Sequence, residues 1–525
     1  MPQSEKPPRN FRAPLKYPGY PYHGLLRQAL DHLSNKIAIV DGERELTFGE
    51  LESRSNACAR GLTHLGIQKG DRVALLVPNS IEFEVAFFAG SKTGAILTSL
   101  NPAYKEEEVR YQLEDSGAKI VIVHESLLPT ILSVRDKLPN LKNIIVTEGK
   151  APPDCIGFDE WIAGEVDTQP DEPTIDQAND LIALPYSSGT TGRPKGVMLT
   201  HRNLVRNYHQ FVDNHKISER DGALNFLPLY HIYGTLIMGG LILAGGKQVL
   251  MRRFDVEESL ELVERHQLTL FYTVPPALLD IVHHPNTESY DLSSLRYIMS
   301  GAAPLPSEIR RLTQEKTGCL TFMGYGLTET SPLTHMNPID EEMVKENSIG
   351  PPVSDLEQKV VDLETGERDM PLGEIGELAL KGPQVMKGYW NAPEETARVL
   401  RDGWFLTGDI VRIDEDGYVY IVDRLKEMIK YKGFSVAPAE LESLLHQHPQ
   451  VADAAVIPKA DDEAGEIPKA FIVLKDGEKA EPEAIIEFVR GKVAGFKQIR
   501  EIEFIDRIPK SRSGKILRRV LRDKH

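Results

Sequence analysis

Between residues 186 and 196 the chain reads Tyr-Ser-Ser-Gly-Thr-Thr-Gly-Arg-Pro-Lys-Gly. Ser187, Ser188, Thr190 and Thr191 supply hydroxyls, Gly189, Gly192 and Gly196 supply bare backbone, and Arg193 and Lys195 supply positive charge. Glycines let N–H groups close on an anion, hydroxyls bind its oxygens, and the cations offset its charge. That composition suits a polyphosphate. It is not a Walker loop, because no Gly is followed after four residues by Gly-Lys-Ser/Thr. The apolar run Leu181–Leu184 before it reads as a buried strand. Leu204–Phe211 after it has helical spacing, with Thr200 as N-cap. The expectation is strand, phosphate-binding turn, helix.

Further stretches carry chemistry. Gly324-Tyr325-Gly326-Leu327-Thr328-Glu329-Thr330 is expected after a strand, at the carboxyl end where open α/β sheets bind ligands. Tyr325 can offer its ring to a base, Thr328 can bind a phosphate oxygen, and Glu329 supplies one hard carboxylate for Mg²⁺. Asp409, just after the strand-like run Trp404–Leu406, could accept ribose hydroxyls. By itself an Asp after Gly is usually a turn residue. Lys515 follows a Ser-Gly turn able to project it into a cleft, where a cation could help two anions combine. Arg518, Arg519 and Arg522 read as a solvated face. His201-Arg202-Asn203-Leu204 mimics a kinase loop, but Asn203 stands where the base would be and no Asp-Phe-Gly follows.

Together these motifs resemble those of adenylate-forming enzymes: acyl-CoA synthetases, luciferases and peptide-synthetase adenylation domains. The resemblance runs from about Leu46 to Arg519. It implies a ligase in which a carboxylic acid and ATP give acyl-AMP and pyrophosphate, and CoA then displaces AMP. It implies ATP and Mg²⁺ as cofactors and CoA as co-substrate. It assigns the nucleotide to Ser187, Ser188, Gly189, Thr190, Thr191, Gly192, Lys195, Gly301, Ala302, Ala303, Tyr325, Gly326, Thr328, Asp409, Arg424 and Lys515. Lys515, His231, Glu329 and Thr328 are implied as catalytic, with Glu329 on the metal. The acyl pocket would use His231, Ile232, Tyr233, Gly324, Pro332 and Leu333. CoA would meet Lys430, Lys432 and Gly433, and Lys426 matches the hinge. His231 read alone would be a core histidine. Asn101-Pro102-Ala103-Tyr104 and the segment Tyr111–Ala118 are similar to fatty acyl-CoA synthetases. The run Asp423–Gly433 is closer to 4-coumarate–CoA ligases. A medium- to long-chain fatty acid is the expected substrate, with an aryl-propenoic acid as the alternative; a luciferase-like adenylating oxygenase and an acyl-sensing pseudoenzyme are the further alternatives.

The elements that must position these residues are legible in outline. Thr47-Phe48-Gly49-Glu50 is a capping box, and Gly66 stops the helix that follows. Runs at 73–77, 95–100 and 120–123 alternate with helical patterns at 81–89 and 106–115, as in parallel βαβ units. The order repeats through 268–274, 295–299 and 320–323, giving two βα lobes before about residue 340. Asp416-Gly417 marks a hairpin, and Pro438 opens a helix. The fold expected is α/β: a large multi-lobed N-terminal domain of βα-layered sheets and a small α+β C-terminal domain joined by a hinge. The boundaries are an extended arm at 1–24, an AMP-binding domain at 25–424 and a mobile domain at 425–525.

The bulk numbers agree with an enzyme of small molecules. The chain has 525 residues and a net charge of −17, which disfavours nucleic-acid binding. Three scattered cysteines point to a reduced, cytoplasmic compartment. No apolar run is long enough for a transmembrane helix. The sequence is compatible with peripheral membrane contact and with a monomer or homodimer. Ten residues follow Lys515, which argues against a carrier domain.

Overall fold

The computed structural model describes residues 12–187, 194–424, 427–431, 434–461, 464–490, 492–493, 495–510 and 516–524. Four sheets organise the chain. The largest has nine strands, with Arg72–Leu76, Ile96–Ser99, Ile120–His124 and Asn143–Thr147 parallel at its centre. An eight-stranded sheet holds Gly222–Asn225, Lys247–Leu250, Leu270–Thr273, Tyr297–Ser300 and Thr321–Gly326, again parallel. Each parallel strand is a short apolar run covered by helices, as burial on both faces requires. Two smaller five-stranded sheets follow, the third centred on Trp404–Ile413 and the fourth on Gly465–Leu474. The protein is thus mixed α/β with a large N-terminal part and a small C-terminal α+β domain.

Local signals placed most elements. Thr47 and Glu50 form the reciprocal capping box of helix Phe48–His64. Gly94 and Gly117 end helices Ile81–Thr93 and Glu106–Ser116 in the left-handed region, at φ of 70° and 64°. Pro438 opens helix Pro438–His446. The two lobes are not successive stretches, however. Ile37–Asp41 lies parallel to Lys247–Leu250 in the eight-stranded sheet, and Gly388–Tyr389 joins the nine-stranded one. Strand pairing is chosen by which edge buries a run, which sequence order does not specify.

The N-terminal segment is tied down from Arg12 onward. Arg12 donates to the carbonyls of Pro352 and Met336, and the Tyr17 hydroxyl donates to Asp355 at 2.6 Å. At the other end, Arg518 is not on a solvated face. Its guanidinium donates to both Glu442 oxygens at 2.7 Å and to Glu427, with a side chain only 10% exposed. A buried cation needs such partners, and Glu427 and Glu442 are themselves buried.

Candidate active site

The two ends of the stretch 186–196 pair with each other. Tyr186–Ser187 pairs antiparallel with Lys195–Thr200, Lys195 opposite Ser187 and Gly196 opposite Tyr186. The expected direct passage from turn to helix is therefore corrected: a six-residue strand intervenes before helix His201–His215. Val197 and Leu199 of this strand are fully buried, while Thr200 and Asn203 form a capping box that holds the helix start back at His201. The helix dipole fades within one turn, so an anion at 188–194 would not meet it. Ser188, Gly189, Thr190, Thr191 and Gly192 lie outside the described residues, leaving Ser187 and Lys195 as the flanks.

Those flanks meet the second motif. Ser187 Oγ donates to Glu329 Oε1 at 3.0 Å, and the Tyr389 hydroxyl donates to the same oxygen at 3.0 Å. Burial, then the Glu329 charge, pushes the Tyr389 pKa up. Lys195 Nζ is 5.6 Å from the Tyr389 ring centre and 3.6 Å from Glu395. Neither Tyr389 nor Glu395 was identified from sequence; only the aromatic pair Tyr389-Trp390 after Gly388 could have signalled the first. Thr328 and Glu329 sit in a single 3₁₀ turn, Thr328–Thr330.

Tyr325 and Gly326 do not follow a strand but end one, Thr321–Gly326, a second correction. The strand is prolonged because Leu333–Met336 folds back against it, with Tyr325 opposite His335 and Gly326 opposite Leu333. A Cβ on Gly326 would stand 2.0 Å from the Pro332 carbonyl oxygen, so no side chain fits there. The Tyr325 hydroxyl donates to Asp409 Oδ2. Asp409 is likewise inside a strand rather than after one, opposite Arg424 and 1% exposed. Gly408, at φ 73°, lets the strand deform and continue. Its N–H donates to Glu377 at 2.8 Å, and burial pushes that carboxyl's pKa up. The Arg424 side chain lies outside the described set.

His231 caps helix Ile232–Ala244, its Nδ1 accepting from Tyr233 N at 3.2 Å. The imidazole is solvent-exposed yet closely surrounded by protein, and that loss of bulk water lowers its pKa to about 4. It is neutral at pH 7. Tyr233 lies against the backbone of Gly301, where a Cβ would be 3.0 Å from its ring. Gly324 abuts Met299, whose carbonyl accepts from the Tyr233 hydroxyl at 3.4 Å. Ile232 and Leu333 are buried in the main core, 4% and 3% exposed, and Pro332 is buried beside Leu333. Ala302 holds φ at 65° while exposed. A non-glycine residue there costs about 1–2 kcal/mol, an outlier that clusters at ligand-binding turns. Ala303 follows it, half-buried.

The candidate CoA and hinge residues are farther along. Lys430 pairs in register with Ser435, and Tyr431 with Phe434, between two antiparallel strands. Lys426, Lys432, Gly433 and Lys515 lie outside the described residues, as does the Lys430 side chain. Lys510 and Ile516 bridge on either side of Lys515.

The donor set fits Mg²⁺ of a particular kind. Glu329 offers a single carboxylate beside two hydroxyls, and no group of three or more His, Cys, Asp or Glu gathers for a metal among the described residues. Mg²⁺ bound mainly through substrate phosphates and water needs no more than that from the protein.

Comparison with known proteins bears on the family and the fold. The AMP-binding enzyme family matches residues 26–390, and the AMP-binding enzyme C-terminal domain matches residues 440–515. The chain is 41% identical to 4-coumarate–CoA ligase 5 of Oryza sativa subsp. japonica over 518 residues, 96% of this chain and 94% of that protein. It superposes on the anthranilate CoA ligase AuaEII, solved with anthranoyl-AMP, at a TM-score of 0.88 and 31% identity, covering 97% of each chain. A Mycobacterium tuberculosis fatty acyl CoA synthetase superposes at 0.78 with 30% identity, covering 96% of this chain and 98% of that one. No helix among the described residues is long and apolar enough to cross a membrane. On motifs, fold and matched length alike, the chain belongs to the AMP-binding enzyme family.

Proposed function

We propose that the chain is an AMP-forming acid–CoA ligase acting on an aryl-propenoic acid of the 4-coumarate type. The reaction class is supported by likeness along nearly the whole chain to proteins named as CoA ligases. The aryl preference rests on one observation, the 41% identity to a 4-coumarate–CoA ligase across 96% of the chain. That favours the alternative over the fatty-acid expectation drawn from Asn101–Tyr104 and Tyr111–Ala118. A fatty acid remains the second reading, carried by the fatty acyl CoA synthetase neighbour.

In this reading the 186–196 hairpin holds the β- and γ-phosphates, with Ser187 and Lys195 at its flanks. Tyr325 stacks on adenine beside Gly301, Ala302 and Ala303, and Asp409 with Arg424 takes the ribose. Since the Tyr325 hydroxyl occupies one Asp409 oxygen, ribose shares or displaces that bond. His231, neutral at pH 7, positions the acid without adding a competing charge. Mg²⁺ on Glu329 and the phosphates would neutralise charge building on the leaving pyrophosphate. The carboxylate oxygen attacks the α-phosphorus, the bond to the β-phosphate oxygen breaks, and Lys515 offsets the concentrated charge. The CoA thiolate then attacks the acyl carbon and AMP leaves. The domain limits 1–24, 25–424 and 425–525, with a hinge at Lys426, belong to the same proposal. No side chain here serves as a covalent nucleophile, so positioning carries the rate.

The test is a CoA-ligation screen over hydroxycinnamic acids, benzoic acids and fatty acids of graded length, beside acid-dependent exchange of pyrophosphate into ATP. Highest kcat/KM on a hydroxycinnamic acid supports the aryl reading. A maximum on a C8–C16 fatty acid replaces it with the second reading. No exchange with any acid overturns the ligase.

A further inference from the structure

We propose that helix Glu106–Ser116 clamps both stems of the phosphate-binding hairpin, with Tyr111 and Asp115 as positioning residues for the pyrophosphate half of ATP. This rests on the reading that the hairpin binds those phosphates. Tyr111 and Asp115 are four apart, so they share one helix face. The Tyr111 hydroxyl donates to the carbonyl of Pro194, at the turn's far end, at 2.9 Å. Asp115 Oδ2 accepts from the hydroxyl of Tyr186, on the opposite stem, at 2.6 Å. The two tyrosine rings meet edge to face, 6.4 Å apart. A third tie passes through Trp390, whose indole N–H donates to the Asp115 carbonyl at 3.1 Å and whose backbone N–H donates to Gly196 at 2.8 Å.

The helix itself is a fixed body. Val109 and Leu113 are buried, and Gln112 donates to Thr98 at 2.9 Å and to Ser99 at 3.1 Å in the nine-stranded sheet. Arg72 donates to the carbonyl of Gly117 just past its end. A hairpin joined to such a body at one stem could change its aperture; one tied at both stems cannot. Fixing both stems sets where Ser187 and Lys195 stand before the phosphates arrive, which is how preorganised donors gain strength. None of these contacts touches substrate, so the effect acts through the hairpin.

The experiment compares Tyr111→Phe, Tyr186→Phe, Asp115→Ala and Asp115→Asn in pyrophosphate exchange, in thioester formation from supplied acyl-AMP, and in thermal melts. Tyr111→Phe, Tyr186→Phe and Asp115→Ala should each raise KM for ATP and pyrophosphate about 2–10-fold, as loss of one half-buried hydrogen bond does. KM for the acid and the thioester step should be unchanged. Asp115→Asn keeps an acceptor and should restore most of the affinity. Asp115→Ala with Tyr186→Phe should be no worse than either alone. Unaltered KM for ATP in the single variants overturns the clamp, as does an equal loss in both half-reactions tracking a lowered melting temperature. A wild-type protein without exchange activity overturns the ligase reading instead.

Discussion

Ser187 Oγ donates to Glu329 Oε1 at 3.0 Å, joining the strand pair Tyr186–Ser187 and Lys195–Thr200 of the nine-stranded sheet to a turn at the end of the eight-stranded one. Tyr389 closes on the same oxygen. One carboxylate thus sits where two sheets and the proposed phosphate site converge. Its remaining acceptor capacity suits one bond to a hard cation.

Glu329→Gln keeps an acceptor for Ser187 and Tyr389, so the fold should hold. A neutral amide is a poor Mg²⁺ ligand, and half-maximal activity should require about tenfold more Mg²⁺ or greater. Titration of Mg²⁺ in the exchange assay checks this; an unchanged requirement makes Glu329 structural.

Lys515→Ala should slow acyl-AMP formation by about 10²–10³-fold, the scale for one well-placed charge-stabilising donor. Supplied acyl-AMP should still become thioester at near-normal rate. Single-turnover measurement of each half-reaction decides it, and equal loss in both overturns the assignment.

Lys426→Pro tests alternation of the C-terminal domain. Proline fixes φ near −65° and removes an N–H, so rotation at this position should be hindered. Acyl-AMP should form near-normally while transfer to CoA slows. Gly433→Trp should give a similar split by obstructing the CoA path. Slowing of the first half-reaction alone by Lys426→Pro would place the hinge elsewhere.

Arg518→Met should destabilise the C-terminal domain by about 3–5 kcal/mol, because Glu427 and Glu442 would keep buried charges without their shared partner. Chemical denaturation followed in that domain measures it. The double variant with Glu442→Gln should recover part of the loss.

Acid should destabilise the fold through buried histidines. Burial lowers the pKa of His335 to about 4 and of His201 to about 3, from 6.5. Below 6.5 the unfolded chain takes up protons that the native state refuses, so stability falls as pH drops from 6.5 toward 4. Fully buried His335, its Nε2 donating to Gln358 at 2.8 Å, contributes on the order of 3 kcal/mol to that slope. Melting temperatures from pH 7.5 to 4 should fall steadily, and His335→Gln should flatten the profile.

Much of the protein was legible without coordinates, and the reason is range. Caps at Thr47 and Thr200, the helix stop at Gly66, and the Asp416-Gly417 hairpin are decided by residues a few positions apart. So was the density of hydroxyls, glycines and cations at 186–196, and with it the family. What needed tertiary structure were the contacts between segments far apart in the chain. Lys195–Thr200 became a strand because the edge beside Leu181–Ala183 could bury Val197 and Leu199, displacing the expected turn-to-helix passage. Tyr325 and Asp409 were drawn into strands by partners at Leu333–Met336 and Val419–Arg424. Arg518 looked solvated because its carboxylates, Glu427 and Glu442, are adjacent to it only after folding. Tyr389 carries no local signal beyond its aromatic pairing with Trp390, and the bonds of Tyr111 to Pro194 and Asp115 to Tyr186 carry none at all. A hydroxyl or carboxylate in sequence states what bond it can make, and only the packing of sheets decides which atom stands opposite.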